Sequence, residues 1–352
     1  MSARRVTLAE VAKAAGVSPT TASFVLSGRG PEMRISRDVE QRVLKTADRL
    51  QYRPNIVSVG LRTGTTQTIG FVSDTVATSR FAGNLIKGAL EEARERGVML
   101  FIGETEGDPE LERRLVQAMQ DRQVDGIILA SMYTRTITVP RELTSAPAVL
   151  LNALPSAPSP LASVLPDEAE AGRAAARVLL DAGHRDAIHL IGAGPGIEDV
   201  PPGGVAAVER LHGILETLAA AGLAVAGGTL CRAWEPRDGR DATRALLARE
   251  RPKAIICFND RLALGAYQAL AEAGLAVPRD VSVVSFDDDD IASWIDPGLT
   301  TVALPHYELG RTAVEVLFGA MGGSDGDGGA PGPVHRVPMP VRVRESVAAP
   351  AA

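Results

Sequence analysis

Short polar side chains gather near the start of the chain, where the sequence predicts two short helices joined at a glycine. Ser18 is suited to cap the second helix and Pro19 to occupy its first turn, where a missing N–H costs nothing. Thr20, Thr21 and Ser23 are then left near the exposed N-terminal end of that helix. Such an end fits the major groove of DNA. The spacing therefore predicts a DNA-reading helix-turn-helix.

The elements around this helix follow from caps and apolar spacing. Thr7 caps the first helix and Glu10, three residues on, reaches back to complete a capping box, while Gly16 ends the helix. A third helix is predicted from the cap Ser36 to Leu50. The apolar side chains assigned to this small three-helix core are Leu8, Val11, Ala12, Ala15, Val25, Leu26, Val39, Val43, Leu44 and Ala47.

The charge is distributed unevenly along the chain. Residues 1–66 carry a net charge of +6, whereas all 352 residues carry −6, so that the remainder carries −12. A basic head on an acidic body is typical of a polyanion-binding module joined to a domain for a neutral ligand. The alternative is a solvated helical face that happens to be basic.

Length and composition set the remaining bounds. The chain exceeds one ordinary core, so two or three packed units are expected. No apolar stretch approaches the ~20 residues of a membrane span, and the polar N-terminus is unlike an export signal, which predicts a cytoplasmic protein. Cys231 and Cys257 lack the spacing of a zinc or redox site, so we expect inert reduced thiols, with no metal and no cofactor.

From about Thr68 onward, short apolar runs alternate with amphipathic helices, the pattern of parallel sheets wrapped by helices. The segment 153–166 is rich in Pro, Ala and Ser and is expected to be a crossing between two lobes. The glycine-rich segment 322–333 is expected to be a flexible loop before a last strand near 337–343. The predicted strands are 68–73, 98–103, 126–130, 148–152, 187–191, 254–258 and 281–286.

The motifs that could indicate an enzyme each fit their chemistry poorly. The segment Ile191 to Gly196 follows a strand but lacks the third glycine of a dinucleotide loop, and Glu198 and Asp199 would repel a pyrophosphate. The four carboxylates Asp287 to Asp290 cannot all face one metal ion, and they suit a helix N-terminus. No nucleophile pattern is present. The alternative to a regulator is a sugar-binding transport component.

Several ordered motifs resemble the LacI-type bacterial transcription regulators across nearly the whole chain. The matching segments are Thr7–Ala12 with Gly16–Ser18, Tyr52–Asn55 with Leu61–Gly64, Asp125–Leu129, Asn259–Asp260 with Ala263–Ala266, and Val277–Asp288. The resemblance implies an α/β fold with a three-helix head, a hinge helix and a two-lobed core of parallel sheets flanked by helices, similar to periplasmic sugar-binding proteins. It also implies a homodimer that acts as a repressor on a palindromic operator in double-stranded DNA, and a small effector, commonly a sugar, bound between the lobes.

These observations predict four regions. Residues 1–54 form the DNA-binding head, 55–66 the hinge helix and linker, 67–345 the core, and 346–352 a disordered tail. The first lobe is assigned residues 67–164 and 293–320, and the second lobe 165–292 and 321–345.

The hinge is short enough to depend on its partner. A helix of about eight residues after Pro54 is marginal in water, and Gly60 weakens it further. It is expected to order only when paired with its dimer mate in the minor groove. Leu61 corresponds to the residue that family members wedge between base pairs, with ordinary packing as the alternative.

Two features depart from the family. Where an arginine often reads a guanine edge, this chain has Phe24, which either packs on a thymine methyl or belongs to the core. The loop after Gly28 is longer than usual, and we expect its Arg29 or Arg34 to contact phosphate. The candidate DNA-contacting residues are Thr7, Ser18, Pro19, Thr20, Thr21, Ser23, Ser27, Arg29, Arg34, Ser36, Tyr52, Asn55, Ser58 and Leu61.

Candidate effector residues follow from family matching and from strand ends, because ligands of parallel sheets bind outside the carboxyl ends of strands. Arg210 matches the family arginine that binds ligand hydroxyls, and Asp287 can accept from paired hydroxyls. Asp74 is equally suited to cap its own turn, and Trp294 is equally suited to pack in the core or at the hinge between the two lobes. The full set is Asp74, Phe81, Asn152, Asp167, Arg210, Asn259, Asp287 and Trp294.

Overall fold

A computed structural model describes residues 6–53, 64–79, 83–197, 199–323 and 331–350. The chain divides into two compact units, Met1–Thr66 and Gln67–Ala352. We call the first unit the head and the second the core.

The head contains three helices, α1 (Leu8–Ala15), α2 (Pro19–Leu26) and α3 (Arg37–Arg49). The predicted capping box is present, because the Glu10 amide donates to Thr7 Oγ1 at 3.3 Å and the Thr7 amide to Glu10 Oε2 at 2.8 Å. Gly16 ends α1 with φ +66°. The buried apolar centre is Val11, Ala12, Ala15, Ala22, Val25 and Val43. Leu44 is exposed, so its assignment to this core is wrong: it lies on the solvent side of α3.

The first lobe of the core is built on a sheet of six strands in the order β11-β5-β4-β3-β1-β2. All the pairs in this sheet are parallel. Its strands are β1 (Thr68–Ser73), β2 (Met99–Glu104), β3 (Gly126–Ile137), β4 (Ala148–Pro155), β5 (Ala162–Pro166) and β11 (Val334–Val337). Its helices are α4 (Gly83–Glu95), α5 (Pro109–Asp121) and α11 (His306–Gly322), with a 3-10 turn at Arg141–Ser145.

The second lobe has a sheet in the order β12-β10-β9-β8-β6-β7, parallel except where β12 meets β10. Its strands are β6 (Ile188–Gly192), β7 (Gly227–Leu230), β8 (Ala254–Cys257), β9 (Ser282–Asp287), β10 (Thr300–Ala303) and β12 (Val341–Arg342). Its helices are α6 (Glu168–Asp181), α7 (Val205–Ala220), α8 (Pro236–Leu247), α9 (Asp260–Glu272) and α10 (Asp290–Trp294). The central strands β8 and β9 are buried along nearly their whole length, as expected of a parallel sheet covered by helices on both faces.

The lobe bounds differ from the predicted ones. Within the described residues the chain passes between the sheets three times, after β5, after β10 and after β11. Strand β10 therefore lies in the second sheet, although 293–320 had been assigned to the first lobe. Strand β11 lies in the first sheet, although 321–345 had been assigned to the second. The segment 153–166, expected to be a bare crossing, contains β5.

The predicted disordered tail is wrong for its first residues. Ser346 is fully buried, and its Oγ donates to the Val283 carbonyl at 2.6 Å. The Ala348 amide donates to Ser282 Oγ at 3.1 Å. The segment is ordered because its backbone bonds along β9, a contact that composition does not reveal. No helix among the described residues is long and apolar enough to cross a membrane.

Candidate nucleic-acid interface and ligand cleft

The second head helix presents the hydroxyl groups expected of it. Ser18 Oγ accepts the Thr21 amide at 3.1 Å and lies 2.8 Å from Thr21 Oγ1. Pro19 is the first helical residue, and Thr20 is exposed beside it. Ser23 is half-buried one turn later. The N-terminal end of α2 thus offers side-chain hydroxyls to a polar partner.

Phe24 and Arg29 form a unit on the head. The Phe24 ring is half-buried, and the Arg29 guanidinium lies 5.6 Å from the ring centroid. Arg29 Nε also donates to Glu32 Oε2 at 2.9 Å. Arg29 is therefore held near α2 by a ring and a carboxylate, whereas Arg34, also exposed, takes a left-handed φ of +55° in the same loop.

The other candidate DNA contacts have mixed environments. Thr7 and Ser36 cap α1 and α3 and are exposed, while Ser27 Oγ donates to the Phe24 carbonyl at 3.1 Å. Tyr52 is half-buried. Three candidates lie outside the described residues: Asn55, Ser58 and Leu61.

In the first lobe, Asp74 directly follows β1, as predicted, whereas Asn152, expected at the end of β4, is the fifth of its eight residues. Asp74 is buried, accepts the Thr75 and Met132 amides at 2.6 and 2.9 Å, and pairs with Arg135 at 2.9 Å. It therefore holds its own turn as well as facing the strand ends. Asn152 is also buried, with φ +53°. Among the described residues no donor reaches its Oδ1, which is buried. Phe81 lies outside the described residues.

In the second lobe, Arg210 is the centre of a buried polar cluster. Its Nε and Nη2 donate to the two carboxylate oxygens of Glu168 at 2.8 and 2.9 Å, and its Nη1 donates to the Phe258 carbonyl at 2.5 Å. The guanidinium lies 4.1 Å from the Phe286 ring centroid. Burial raises the pKa of the Glu168 carboxyl, and the Arg210 charge opposes that rise.

Two glycines allow the helices that carry this pair to approach. A Cβ on Gly172 of α6 would lie 2.0 Å from the Arg210 carbonyl oxygen, and one on Gly213 of α7 would lie 2.0 Å from the Ala169 oxygen. Any larger side chain would force α6 and α7 apart. Glu168, which the sequence analysis missed, can reach Arg210 because of this contact, and the paired glycines are the signal that could have found it.

Asn259 is placed at the end of β8 and serves two partners. Its Oδ1 accepts the Leu262 amide at 2.8 Å, capping α9, and its Nδ2 donates to the Trp234 carbonyl at 3.2 Å. Trp234 Nε1 in turn donates to the Gly192 carbonyl at 3.2 Å, and its ring meets Phe258 edge-on at 5.8 Å between centroids.

The aromatic group packed among these strand ends is Trp234, which the sequence analysis also missed. Trp294, the aromatic residue selected from sequence, is 73% exposed at the end of α10, so packing in a core is excluded for it. Trp234 follows β7 just as the selected polar residues follow their strands. The unpredicted strand β7 is the reason that it was overlooked.

The four successive carboxylates point to different partners. Asp287 ends β9, and burial raises its pKa well above the ordinary value while the Arg210 charge opposes that rise. Asp288 pairs with Arg344 at 2.6 Å, and Asp289 caps α10. Asp290 is exposed. Asp287 is thus the member of the run that lies within electrostatic reach of Arg210.

Asp167 is the candidate whose environment fits a structural role. Its Oδ1 accepts the Glu170 amide at 3.1 Å and caps α6. It is half-buried and directly precedes Glu168. The structure thus assembles Arg210, Asn259 and Asp287 with Trp234 and Phe286 at the carboxyl ends of the second sheet.

The glycine segment considered as a dinucleotide loop is closed by its own carboxylate. The Gly196 amide donates to Asp199 Oδ2 at 3.3 Å, and the Gly194 amide to the Asp199 carbonyl at 2.8 Å. A pyrophosphate would have to displace this carboxylate and then sit beside its charge.

A cavity of about 290 Å³ lies at the amino ends of β8 and β9 in the second sheet, and its lining includes His184, Lys253 and Arg279.

Comparisons with known proteins cover both units. A family described as bacterial regulatory proteins, lacI family, matches residues 7–55, and a periplasmic binding protein-like domain matches 176–347. The chain is 32% identical over 317 residues to the HTH-type transcriptional repressor PurR of Haemophilus influenzae (strain PittEE), covering 89% of this chain and 90% of that protein. It is 32% identical over 324 residues to the ribose operon repressor of Escherichia coli (strain K12), covering 89% and 92%.

A solved structure is similar over nearly the full length. The crystal structure of the Lac repressor dimer bound to operator and the anti-inducer ONPF has a TM-score of 0.77 and 26% sequence identity, covering 98% of this chain and 100% of that chain. The similarity therefore includes the head, both lobes and the order in which they occur.

Proposed function

Because this chain belongs to the lacI family of bacterial regulatory proteins, we propose that it is a homodimeric repressor whose hold on operator DNA is set by a neutral polyol in the core. The chain is a DNA-binding transcription regulator of the LacI type and, like its relatives, not an enzyme. We place its action in the cytoplasm, where bacterial DNA is found.

The observation that carries the ligand class is the charge balance around Arg210. Its guanidinium is already neutralised by Glu168, and Asp287 adds a further carboxylate at the same strand ends. Among the described residues, an anionic ligand beside Arg210 would meet these two carboxylates, and another arginine whose charge acts on Asp287, Arg261, is paired with Glu235. Hydroxyl groups, in contrast, can donate to Asp287 and accept from Arg210. Trp234, which is half-buried, supplies apolar surface for the carbon face of a sugar ring.

A sugar is also consistent with the relatives. The ribose operon repressor is named for a sugar operon and shares 32% identity with this chain. Asn152, buried in the first lobe, is the further polar group that we assign to the ligand. Ligand contacts from both lobes would favour one arrangement of the lobes. An effector can change DNA binding only if it prefers one arrangement in this way.

On DNA, we place the N-terminal end of α2 in the major groove. Thr20, Thr21 and Ser23 would contact base edges or nearby phosphates, and Arg29 and Arg34 would contact phosphate from the following loop. The hinge segment 55–66 would enter the minor groove, with Leu61 as its wedge. By linkage, the effector must change DNA affinity by the same factor by which DNA changes effector affinity.

For the homodimer, the first lobe offers an edge suited to a second copy. Strand β2 is the terminal strand of its sheet, and Met99, Phe101 and Ile102 on it are exposed, as is Leu90 on α4. Exposed apolar groups along a sheet edge favour association. The similar Lac repressor structure is a dimer on its operator.

The test of this proposal is a two-step assay on the full chain. Thermal-shift screening with sugars and nucleosides identifies ligands, and footprinting upstream of its own gene is then repeated with each of them. We expect a sugar that raises the unfolding temperature and alters protection of a palindromic site. Stabilisation by a sugar without protection of any DNA would support a sugar-binding transport component instead.

A further inference from the structure

The proposed ligand carboxylate stands on an unfavourable backbone. Asp287 has φ +111° and Asp288 has φ +56°, although neither is a glycine. Two successive residues in this region cost free energy and persist only where the surrounding structure holds them. The conformation matters because it sets the direction of the Asp287 side chain as β9 ends.

The group that holds this turn is Asp260, the first residue of α9, which is completely buried. Its Oδ2 accepts the Asp289 amide at 2.8 Å, and its Oδ1 accepts the Thr301 hydroxyl at 2.8 Å and the Ser285 hydroxyl. The Asp288 amide donates in turn to Thr301 Oγ1 at 3.3 Å. Asp260 therefore fastens both amides that follow Asp287, one directly and one through Thr301.

The chemistry of this contact calls for a carboxylate. All three groups bound to Asp260 are donors, so both of its oxygens must act as acceptors. An asparagine with its oxygen toward the Asp289 amide would turn its NH₂ group toward the Ser285 and Thr301 hydroxyls. These hydroxyls would then have to accept instead of donate, although Thr301 Oγ1 already accepts the Asp288 amide. Among the described residues no Lys, Arg or His comes within ion-pair distance of Asp260. The burial of this carboxylate therefore costs free energy that its hydrogen bonds must offset.

We propose that Asp260 is a positioning residue of the effector site, which fixes the turn after β9 so that the Asp287 carboxylate faces the ligand. This inference rests on the proposed function, because it assigns Asp287 to ligand binding. Asp260 itself contacts the turn and not the ligand. Its removal should release the turn while the sheets remain formed.

The electrostatic surroundings give the arrangement a pH signature. The charged groups that act on the two carboxyls are Asp288 in the turn, Arg210 of α7, Glu168 of α6 and Arg261 of α9. Cys257 and Tyr267 are the other titratable neighbours of Asp260, from β8 and α9. Burial raises the pKa of Asp260 to about 6 and that of Asp287 well above its ordinary value.

A carboxyl whose pKa is raised by folding binds its proton more tightly in the folded state. Its stabilising contribution is present below the unfolded pKa of about 4 and is lost as the pH rises through the folded pKa. These two carboxyls should therefore lower the unfolding temperature as the pH rises from about 4.5 through about 6, while the histidines His184, His189 and His306, whose pKa values are lowered by burial, act in the opposite direction.

The first test needs no ligand. In Asp260→Asn we expect the amides of residues 288–291 to exchange with deuterium about tenfold faster. The difference in unfolding temperature between this variant and the native chain should move in favour of the variant as the pH rises through about 6, because the variant lacks the carboxyl whose pKa is raised. Thr301→Val should accelerate the same amides, and Asp290→Asn, which changes an exposed carboxylate in the next helix, should behave as the native chain. Unchanged exchange at 288–291 in Asp260→Asn would overturn the proposal.

The second test uses D-ribose as the probe, or the strongest binder of the sugar panel if D-ribose does not bind. Asp260→Asn should weaken binding about tenfold, and the double variant with Asp287→Asn should be no weaker than Asp287→Asn alone, because one residue acts through the other. Additive losses would contradict positioning. Failure of every sugar to bind would overturn the proposed ligand class, while the exchange experiment would still decide the role of Asp260.

Discussion

The head and the second-lobe cleft use polar side chains in opposite ways. In the head, the hydroxyls bond to backbone three residues away and remain exposed, as Ser18 does with Thr21. In the cleft, Arg210 is buried and its partners Glu168 and Phe258 are 42 and 48 residues distant. The difference shows that surface groups can be devoted to a partner, whereas buried ones must also support the fold.

The two partners explain this division. DNA is a large polyanion that an exposed helix end and basic loop can meet from outside. A small neutral ligand offers few groups, so the protein must arrange donors and acceptors in advance, and each must be held by further bonds. Substitutions at buried partners in the cleft, such as Glu168, should therefore reduce stability, and substitutions at exposed hydroxyls of the head, such as Thr20, should change binding with little effect on stability.

The sharpest expected contrast is at Glu168. Glu168→Gln leaves the Arg210 charge buried without a counter-ion, which should reduce the free energy of unfolding by about 3–5 kcal/mol. Denaturant titration of the full chain measures it. Glu170→Gln, which breaks the Arg173 pair on the same helix near the surface, is the control and should cost less than about 1 kcal/mol. Equal losses would erase the distinction between the regions.

Asp287→Asn separates binding from stability within the cleft. Loss of a charged acceptor for ligand hydroxyls should weaken sugar affinity by about 1.5–3 kcal/mol, measured by calorimetry at pH 7.5. The same change removes a buried carboxylate whose pKa is raised, so that stability at this pH should not fall. A variant that binds sugar as tightly as the native chain would remove Asp287 from the site.

In the head, Arg34→Ala should weaken all DNA sequences alike. Loss of one phosphate contact should flatten the slope of log K against log salt by about one. Fluorescence anisotropy at several salt concentrations, with specific and random duplexes, measures that slope. An unchanged slope would exclude a phosphate contact by Arg34, and a loss restricted to the specific duplex would indicate base reading.

The smallest expected effect compares a residue that caps a head helix with an exposed hydroxyl of the same unit. Thr7→Ala removes the cap of α1 and should destabilise the head by about 1 kcal/mol. Thr20→Ala, an exposed change at the start of α2, should leave its unfolding unchanged while lowering affinity for the operator. If Thr20→Ala destabilised the head as much as Thr7→Ala, the exposed hydroxyls would not be reserved for DNA.

The same contrast explains what the sequence could predict. Caps and helix ends depend on residues three or four apart, so that Thr7, Ser18 and Ser36 were assigned to the roles that the structure shows. Strand ends were also recognisable, and Asp74, Asn259 and Asp287 lie at them, whereas β4 continues past Asn152 to Pro155. The family resemblance located Arg210, which neither spacing nor composition could have placed.

The sequence could not predict which residues, distant along the chain, contact one another in the fold. Glu168 meets Arg210 only because α6 and α7 pack through Gly172 and Gly213. Strands β7 and β10 are short and were not predicted, so Trp234 was overlooked and the bounds of the lobes were wrong. Tail residue Ser346 is ordered by contact with β9, which lies more than sixty residues earlier.

The central claim is that the core ligand and the DNA are thermodynamically linked. The direct test is the affinity of the full chain for its footprinted operator, measured without the sugar and with the sugar at saturation. The account predicts a shift of about 5- to 150-fold, matched by an equal shift of sugar affinity when the operator is present. Identical operator affinity with and without a sugar that demonstrably binds would contradict it.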